Sequence, residues 1–156
     1  MNIGFYPGSF SPFTNGHLHV VKTASELFDK VIIGIGINQE KRSRYDNEGM
    51  REAIEKTIRR EGLDNVSVIT YSNLSVDAAR ECNANMLIRG IRNGTDYEYE
   101  EKIALINEDL ADIDTIYIRA GVLGNISSSL VVELFKNGRD VSKYIPIDVL
   151  DYIKNN

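Results

Sequence analysis

One histidine, a few cations and three consecutive hydroxyls carry the chemistry that this chain offers. His17 closes the segment Gly8-Ser9-Phe10-Ser11-Pro12-Phe13-Thr14-Asn15-Gly16-His17. Lys41 stands just before Arg42 and Arg44, Arg89 and Arg92 bracket Gly90-Ile91, and Ser127, Ser128 and Ser129 follow Ile126. Imidazole, ammonium, guanidinium and hydroxyl groups all donate hydrogen bonds to oxyanions, and arginine does so in pairs. Gathered in one place, such a set suits a polyphosphate.

Each of these residues also has a plainer reading. A lone histidine at a helix start is more often structural than chemical, and His19, two positions on, faces elsewhere as surface or packing. Arginines around a glycine describe a solvated loop as well as a site. Lys41, among Glu40, Arg42 and Arg44, resembles an ordinary solvated lysine. Glu100 fits an exposed helix charge paired with a neighbour such as Lys102. The serines fit a helix cap, a role compatible with phosphate binding.

The elements that position these residues discriminate between the readings. Short β-rich runs alternate with longer helical ones. Strands are expected over residues 3–6, 31–37, 66–70, 86–89 and 115–118. Val31 to Ile37 is nearly continuous in apolar residues, as in a strand buried on both faces. Helices are expected from Gly16 to Phe28, from a cap at Asp46 or Asn47 to Glu61, from a cap at Ser75 over residues 76–82, over residues 97–110, from Ser128, and over residues 148–154. The alternation predicts an α/β fold: one doubly wound, Rossmann-like domain over residues 1–156, with a five-stranded parallel sheet. Such sheets bind ligands beyond the carboxyl ends of their strands, where the strand order reverses. The Gly8–His17 segment, Lys41, the Arg89-Gly90-Ile91-Arg92 run and the serines all follow strands. Two helix N-termini join them, which favours anions. Gly16 is expected to allow a tight helix entry and close backbone approach to a ligand.

Composition narrows the function classes. The formal net charge of -5 argues against nucleic-acid binding, so an anionic ligand must be held by local positive groups. Cys82 is the only cysteine, which excludes an internal disulfide and a cysteine-rich zinc site and fits a reducing compartment. No basic-then-apolar leader is visible at the N-terminus, and no apolar run reaches the roughly 18 residues that span a bilayer. A cytoplasmic protein without membrane association is expected. A nicotinamide-dependent dehydrogenase fits poorly: Gly34-Ile35-Gly36 does not complete Gly-x-Gly-x-x-Gly, because position 39 is Gln, and the glycines fall inside a strand.

The Gly-Ser-Phe-Ser-Pro-Phe-Thr-Asn-Gly-His segment resembles the signature of the nucleotidylyltransferase superfamily, in which Gly-(Thr/Ser)-Phe-Asp precedes a Gly-His pair. That resemblance implies transfer of a nucleoside monophosphate with release of pyrophosphate. The stretch Leu87 to Glu100, with Arg89-Gly90-Ile91-Arg92 and Asp96-Tyr97-Glu98-Tyr99-Glu100, is similar to a block that sets bacterial phosphopantetheine adenylyltransferases apart from their relatives. Ile126-Ser127-Ser128-Ser129-Leu130-Val131 is similar to that family's serine motif.

The resemblance implies adenylyl transfer from ATP to 4′-phosphopantetheine, giving dephospho-coenzyme A and pyrophosphate by direct in-line attack. His17 would stabilise the α-phosphoryl charge. Lys41 and Arg89 would hold the phosphate of phosphopantetheine, Ser9 and Phe10 would lie beside the reacting phosphates, and Leu74 would line the pantetheine arm. Gly90, Ile91, Arg92 and Glu100 would contact ATP, and Ser127, Ser128 and Ser129 would cradle its β- and γ-phosphates. Mg²⁺ would arrive with ATP. Dephospho-coenzyme A or coenzyme A would bind as product or inhibitor, and the family's assembly implies a homohexamer. Ser11 stands where the family usually has Asp, and Val132 where relatives carry Arg or Lys, with Lys136 or Arg139 placed to compensate. These departures keep two alternatives open: a sister transferase using nicotinamide mononucleotide or CTP, and a module that binds a nucleotide or coenzyme A without turnover.

Overall fold

Alternate residues of each central strand belong to different cores, the arrangement of a sheet covered on both faces. The computed structural model describes residues 1–40 and 42–156, so Lys41 lies outside the described residues. Its elements are β1 (Ile3–Gly8), α1 (Asn15–Leu27), β2 (Lys30–Gly36), α2 (Asn47–Arg60), β3 (Val66–Tyr71), α3 (Ser75–Glu81), β4 (Met86–Ile91), α4 (Gly94–Ala111), β5 (Asp114–Arg119), a 3₁₀ turn at Val122–Asn125, α5 (Ser128–Lys136) and α6 (Ile147–Lys154).

The five strands are parallel, in the order β3-β2-β1-β4-β5. Chain order reverses at β1, which pairs with β2 on one side and β4 on the other. In register, Phe5 lies opposite Ile32 and Tyr6 opposite Ile33. Phe5, Ile32 and Leu87 turn to a core shared with Val76, Ala78 and Ala79 of α3 and Ala111 of α4. Tyr6, Ile33 and Ile88 turn to the larger core with Val20, Val21, Met50, Ile54, Val131 and Val149 of α1, α2, α5 and α6. The doubly wound expectation therefore holds.

Some boundaries differ from the sequence reading, each for a local reason. β4 continues beyond Arg89 through Gly90 and Ile91, because β5 pairs alongside as far as Ile91↔Arg119. α4 begins earlier, at Gly94, because the Asn93 side chain accepts the Asp96 N–H at 2.9 Å and caps it. Leu74, not Ser75, is the N-cap residue of α3, and the Ser75 hydroxyl instead bonds the Tyr71 hydroxyl at 2.8 Å. The 3₁₀ turn at Val122–Asn125 had no signal in the hydrophobic pattern.

Candidate active site

The chain leaves β1 through Phe10, whose φ of 45° is left-handed, and re-enters regular structure at Thr14. Thr14 caps α1 reciprocally with His17. The His17 N–H donates to Thr14 Oγ1 at 3.2 Å, and the Thr14 N–H donates to His17 Nδ1 at 2.9 Å. This is a capping box with imidazole in the place of the usual carboxylate or amide. Its consequence is chemical. Nδ1 is occupied as an acceptor, so the neutral ring carries its proton on Nε2.

Three aromatic rings surround that imidazole. Phe10 stands edge-on at 4.9 Å between centroids, Phe13 lies at 5.5 Å and Tyr6 at 6.4 Å. Burial, then the nearby charges of Arg89 and Arg92, push the His17 pKa down to about 3. The imidazole is therefore neutral at physiological pH, an Nε2–H donor and not a general acid. Gly16 lines the cleft and is also required by a close approach within the protein. A Cβ there would sit 2.8 Å from Gly124 Cα, so the glycine lets the 3₁₀ turn press against the start of α1.

β4 supplies the cations. Arg89 Nε donates to Glu100 Oε2 at 2.8 Å and its Nη2 to Glu100 Oε1 at 2.9 Å, a bidentate pair across to α4. Its Nη1 donates to the Pro7 carbonyl of β1. Burial opposes the charge on Arg89, but the hydrogen bonds and charge of Glu100 more than offset it, and the arginine pKa stands above its ordinary value. Glu100 is 7% exposed, so it is not the exposed helix charge of the plainer reading. Arg92, just before the α4 cap, pairs with Asp96 of the first turn of α4 at 2.8 Å, and the Arg92 hydrogen bond holds the Asp96 carboxyl below its ordinary pKa.

The serines tie the third segment to the first. Ser127 caps α5 by accepting the Leu130 N–H at 3.2 Å. Ser128 Oγ donates to the Pro12 carbonyl at 2.8 Å. Ser129 Oγ accepts from Arg44 Nη2 at 2.8 Å, and Arg44 Nη1 donates to the Ser11 carbonyl at 2.7 Å.

These segments enclose a cleft of about 250 Å³ at the carboxyl ends of β1 and β4, where strand order reverses. Ser9, Phe10, His17, Arg89, Gly90, Arg92, Glu100, Ser127 and Ser128 line it. Of the other expected site residues, Ile91, Leu74 and Ser129 are not among its walls, and Leu74 is an exposed side chain at the start of α3. Sequence reasoning passed over Tyr6, Thr14 and Asp96, which line the cleft; it named Arg44 only as a neighbour of Lys41, and the Arg44 guanidinium bonds Ser129, next in sequence to the cleft residue Ser128. Thr14 was legible from the Thr-x-x-His spacing, and Asp96 from its position four residues after Arg92. The Ser11 hydroxyl makes no local turn bond. It is buried without a partner among the described residues, and only its carbonyl is engaged. Val132 is buried in the core, and neither Lys136 nor Arg139 lines the cleft.

The sequence matches the cytidylyltransferase-like family over residues 5–134. A phosphopantetheine adenylyltransferase of Porphyromonas gingivalis is 44% identical over 146 residues, covering 93% of this chain and 94% of the relative. Proteins of the same name from Leuconostoc citreum and Campylobacter jejuni are each 40% identical, covering 99% and 96% of this chain and 98% and 95% of the relatives. The chain belongs to the phosphopantetheine adenylyltransferase family. Among solved structures, a putative nicotinate-nucleotide adenylyltransferase of Vibrio parahaemolyticus superposes with a TM-score of 0.72 at 19% identity, over 98% of this chain and 99% of its own. A bifunctional NMN adenylyltransferase/ADP ribose pyrophosphatase of Francisella tularensis gives 0.68 at 21% identity, over 92% of this chain and 44% of its own. At those identities the likeness establishes the fold alone. Family membership rests on the sequence relatives, which this chain spans almost end to end.

Proposed function

We propose that the protein transfers the adenylyl group of ATP to 4′-phosphopantetheine. A phosphate oxygen of phosphopantetheine attacks the α-phosphorus of ATP, the bond from that phosphorus to the β-phosphate oxygen breaks, and dephospho-coenzyme A and pyrophosphate result. The observation that carries this reading is the joint presence, in one cleft, of a neutral Nε2–H donor, two anchored arginines and the α5 start. Such a site accelerates transfer by positioning and by stabilising the charge that develops on phosphoryl oxygens.

On this reading His17 donates from Nε2 to an α-phosphoryl oxygen. Arg89, oriented by Glu100, holds the acceptor phosphate together with Lys41, and Leu74 lines the pantetheine arm. Ser9, Phe10, Gly90, Ile91, Arg92 and Glu100 border the nucleotide, while Ser127 to Ser129 take its β- and γ-phosphates at the α5 start. Both cleft carboxylates, Asp96 and Glu100, are engaged by arginines. A divalent ion therefore enters as Mg-ATP, held by phosphates and water. Tyr99, Leu105, Ile106 and Leu110 leave an apolar surface exposed on α4, which supports a homo-oligomer, a hexamer by family. No helix among the described residues is long and apolar enough to cross a membrane, and we place the enzyme in the cytoplasm.

The test is incubation with Mg-ATP and 4′-phosphopantetheine, with pyrophosphate and dephospho-coenzyme A measured together. Equal amounts of both are expected. ATP binding without product would leave a non-catalytic module, and product only with CTP or with nicotinamide mononucleotide as acceptor would assign a sister transferase.

A further inference from the structure

Among the described residues, the cleft is nearly neutral where a triphosphate must bind. Arg89 is paired with Glu100 and Arg92 with Asp96, so these four side chains carry no net charge. On the proposed function, ATP brings more negative charge than its Mg²⁺ offsets. Neutral donors and a helix start supply only part of the balance.

Arg44 is placed to supply more. It lies on the loop between β2 and α2, and it is exposed. Its two hydrogen-bond partners are the Ser11 carbonyl and the Ser129 hydroxyl, both uncharged. No carboxylate lies within ion-pair distance of it among the described residues. A guanidinium has five N–H donors, so three remain after these two bonds. The charge is thus un-neutralised and held at Ser129, the residue that follows the cleft residue Ser128, although Arg44 is not itself among the cleft walls.

We propose that Arg44 grips the terminal phosphates of the bound nucleoside triphosphate and so ties the β2–α2 loop to the serine end of the cleft. The inference rests on the reading above, which puts the β- and γ-phosphates at the serines. It makes Arg44 a determinant of triphosphate over monophosphate binding, because AMP has nothing to offer it.

The test compares Mg-ATP and AMP binding by calorimetry, and the pyrophosphate KM of the reverse reaction, in the wild type, Arg44→Gln and Arg44→Lys. Losing charge-assisted hydrogen bonds should weaken Mg-ATP and raise the pyrophosphate KM about tenfold to a hundredfold in Arg44→Gln. AMP affinity should change by less than about twofold, and Arg44→Lys, which keeps the charge but not the fork, should recover part of the loss. Unchanged ATP affinity in Arg44→Gln, or an equal loss for AMP and ATP, would overturn the proposal. A wild type that binds no Mg-ATP would instead refute the functional reading on which it rests.

Discussion

Acidification should destabilise the wild-type protein more than a His17→Gln variant, by an amount that the His17 environment sets. Glutamine is the informative replacement, because its side-chain oxygen still accepts the Thr14 N–H and keeps the capping box. The histidine pKa is about 3 in the fold, against an ordinary value of 6.5. The folded value is the lower one, so below the ordinary value the unfolded chain binds a proton that the native state refuses. Stability is therefore present above that value and is lost as pH falls through the window between the two. Linkage gives a loss of about 2 kcal/mol between about pH 7 and about pH 5. His17 is half-buried and lines an open cleft, so solvent screening reduces this to between about 1 and 2 kcal/mol. Urea unfolding of both proteins at the two pH values isolates the contribution, since every other titrating group cancels in the difference. Parallel pH dependences would refute the claim that the ring is held neutral, as would an imidazole resonance titrating near the ordinary histidine value.

Three further outcomes follow from the same geometry. His17→Gln should lower kcat about a hundredfold or more, with a smaller change in the ATP KM, because the lost donor acts mainly on charge in the transition state; a near-normal rate in the assay for pyrophosphate would remove His17 from the chemistry. Glu100→Gln should cost about 1–3 kcal/mol in urea unfolding and raise the phosphopantetheine KM, because it leaves the 30%-exposed Arg89 without its charge partner; unchanged stability and KM would mean that Glu100 does not orient Arg89. Gly16→Ala should cost about 1–3 kcal/mol, since its methyl would meet the Gly124 backbone at 2.8 Å; a variant as stable as the wild type would show that the 3₁₀ turn yields freely.

The parts of the molecule legible in the sequence are those governed by short-range patterning. Alternation and apolar runs located all five strands, and the α2 cap was readable to within Asp46 or Asn47, of which Asp46 is the cap, because capping depends on a few adjacent residues. The end of β4 was not, because Gly90 lowers strand propensity and only pairing with the remote β5 extends the strand. The Glu100–Arg89 pair joins a strand to a helix across a chain reversal, and its burial is a property of the packed pair. Arg44 is harder still. Its partners lie on separate segments, Ser11 in the turn after β1 and Ser129 in the first turn of α5, and nothing in Arg42-Ser43-Arg44-Tyr45 singles out the second arginine from the first. The state of the Ser11 hydroxyl was illegible for a similar reason: it is buried without a partner among the described residues, which depends on how separate segments pack.

The paired arginines bear on His17 as well as on phosphate. An unpaired, mobile arginine attracts an anion but spends entropy in being ordered by it. Arg89 is ordered beforehand by two bonds to Glu100 and one to the Pro7 carbonyl, which leaves two N–H groups to aim at a ligand. Burial lowers the His17 pKa most, and the same positive charge, with that of Arg92, lowers it further. The cations proposed to receive phosphate thereby also help to keep the imidazole from protonating. Adenylyl transfer between phosphate oxygens requires no proton at the phosphoryl group, so a neutral donor of fixed tautomer fits the reaction better than an acid would. Thr14, by taking up Nδ1, selects that tautomer. A helix cap therefore fixes the donor that the proposed reaction uses, and the Thr14-Asn15-Gly16-His17 spacing serves the fold and the proposed site together.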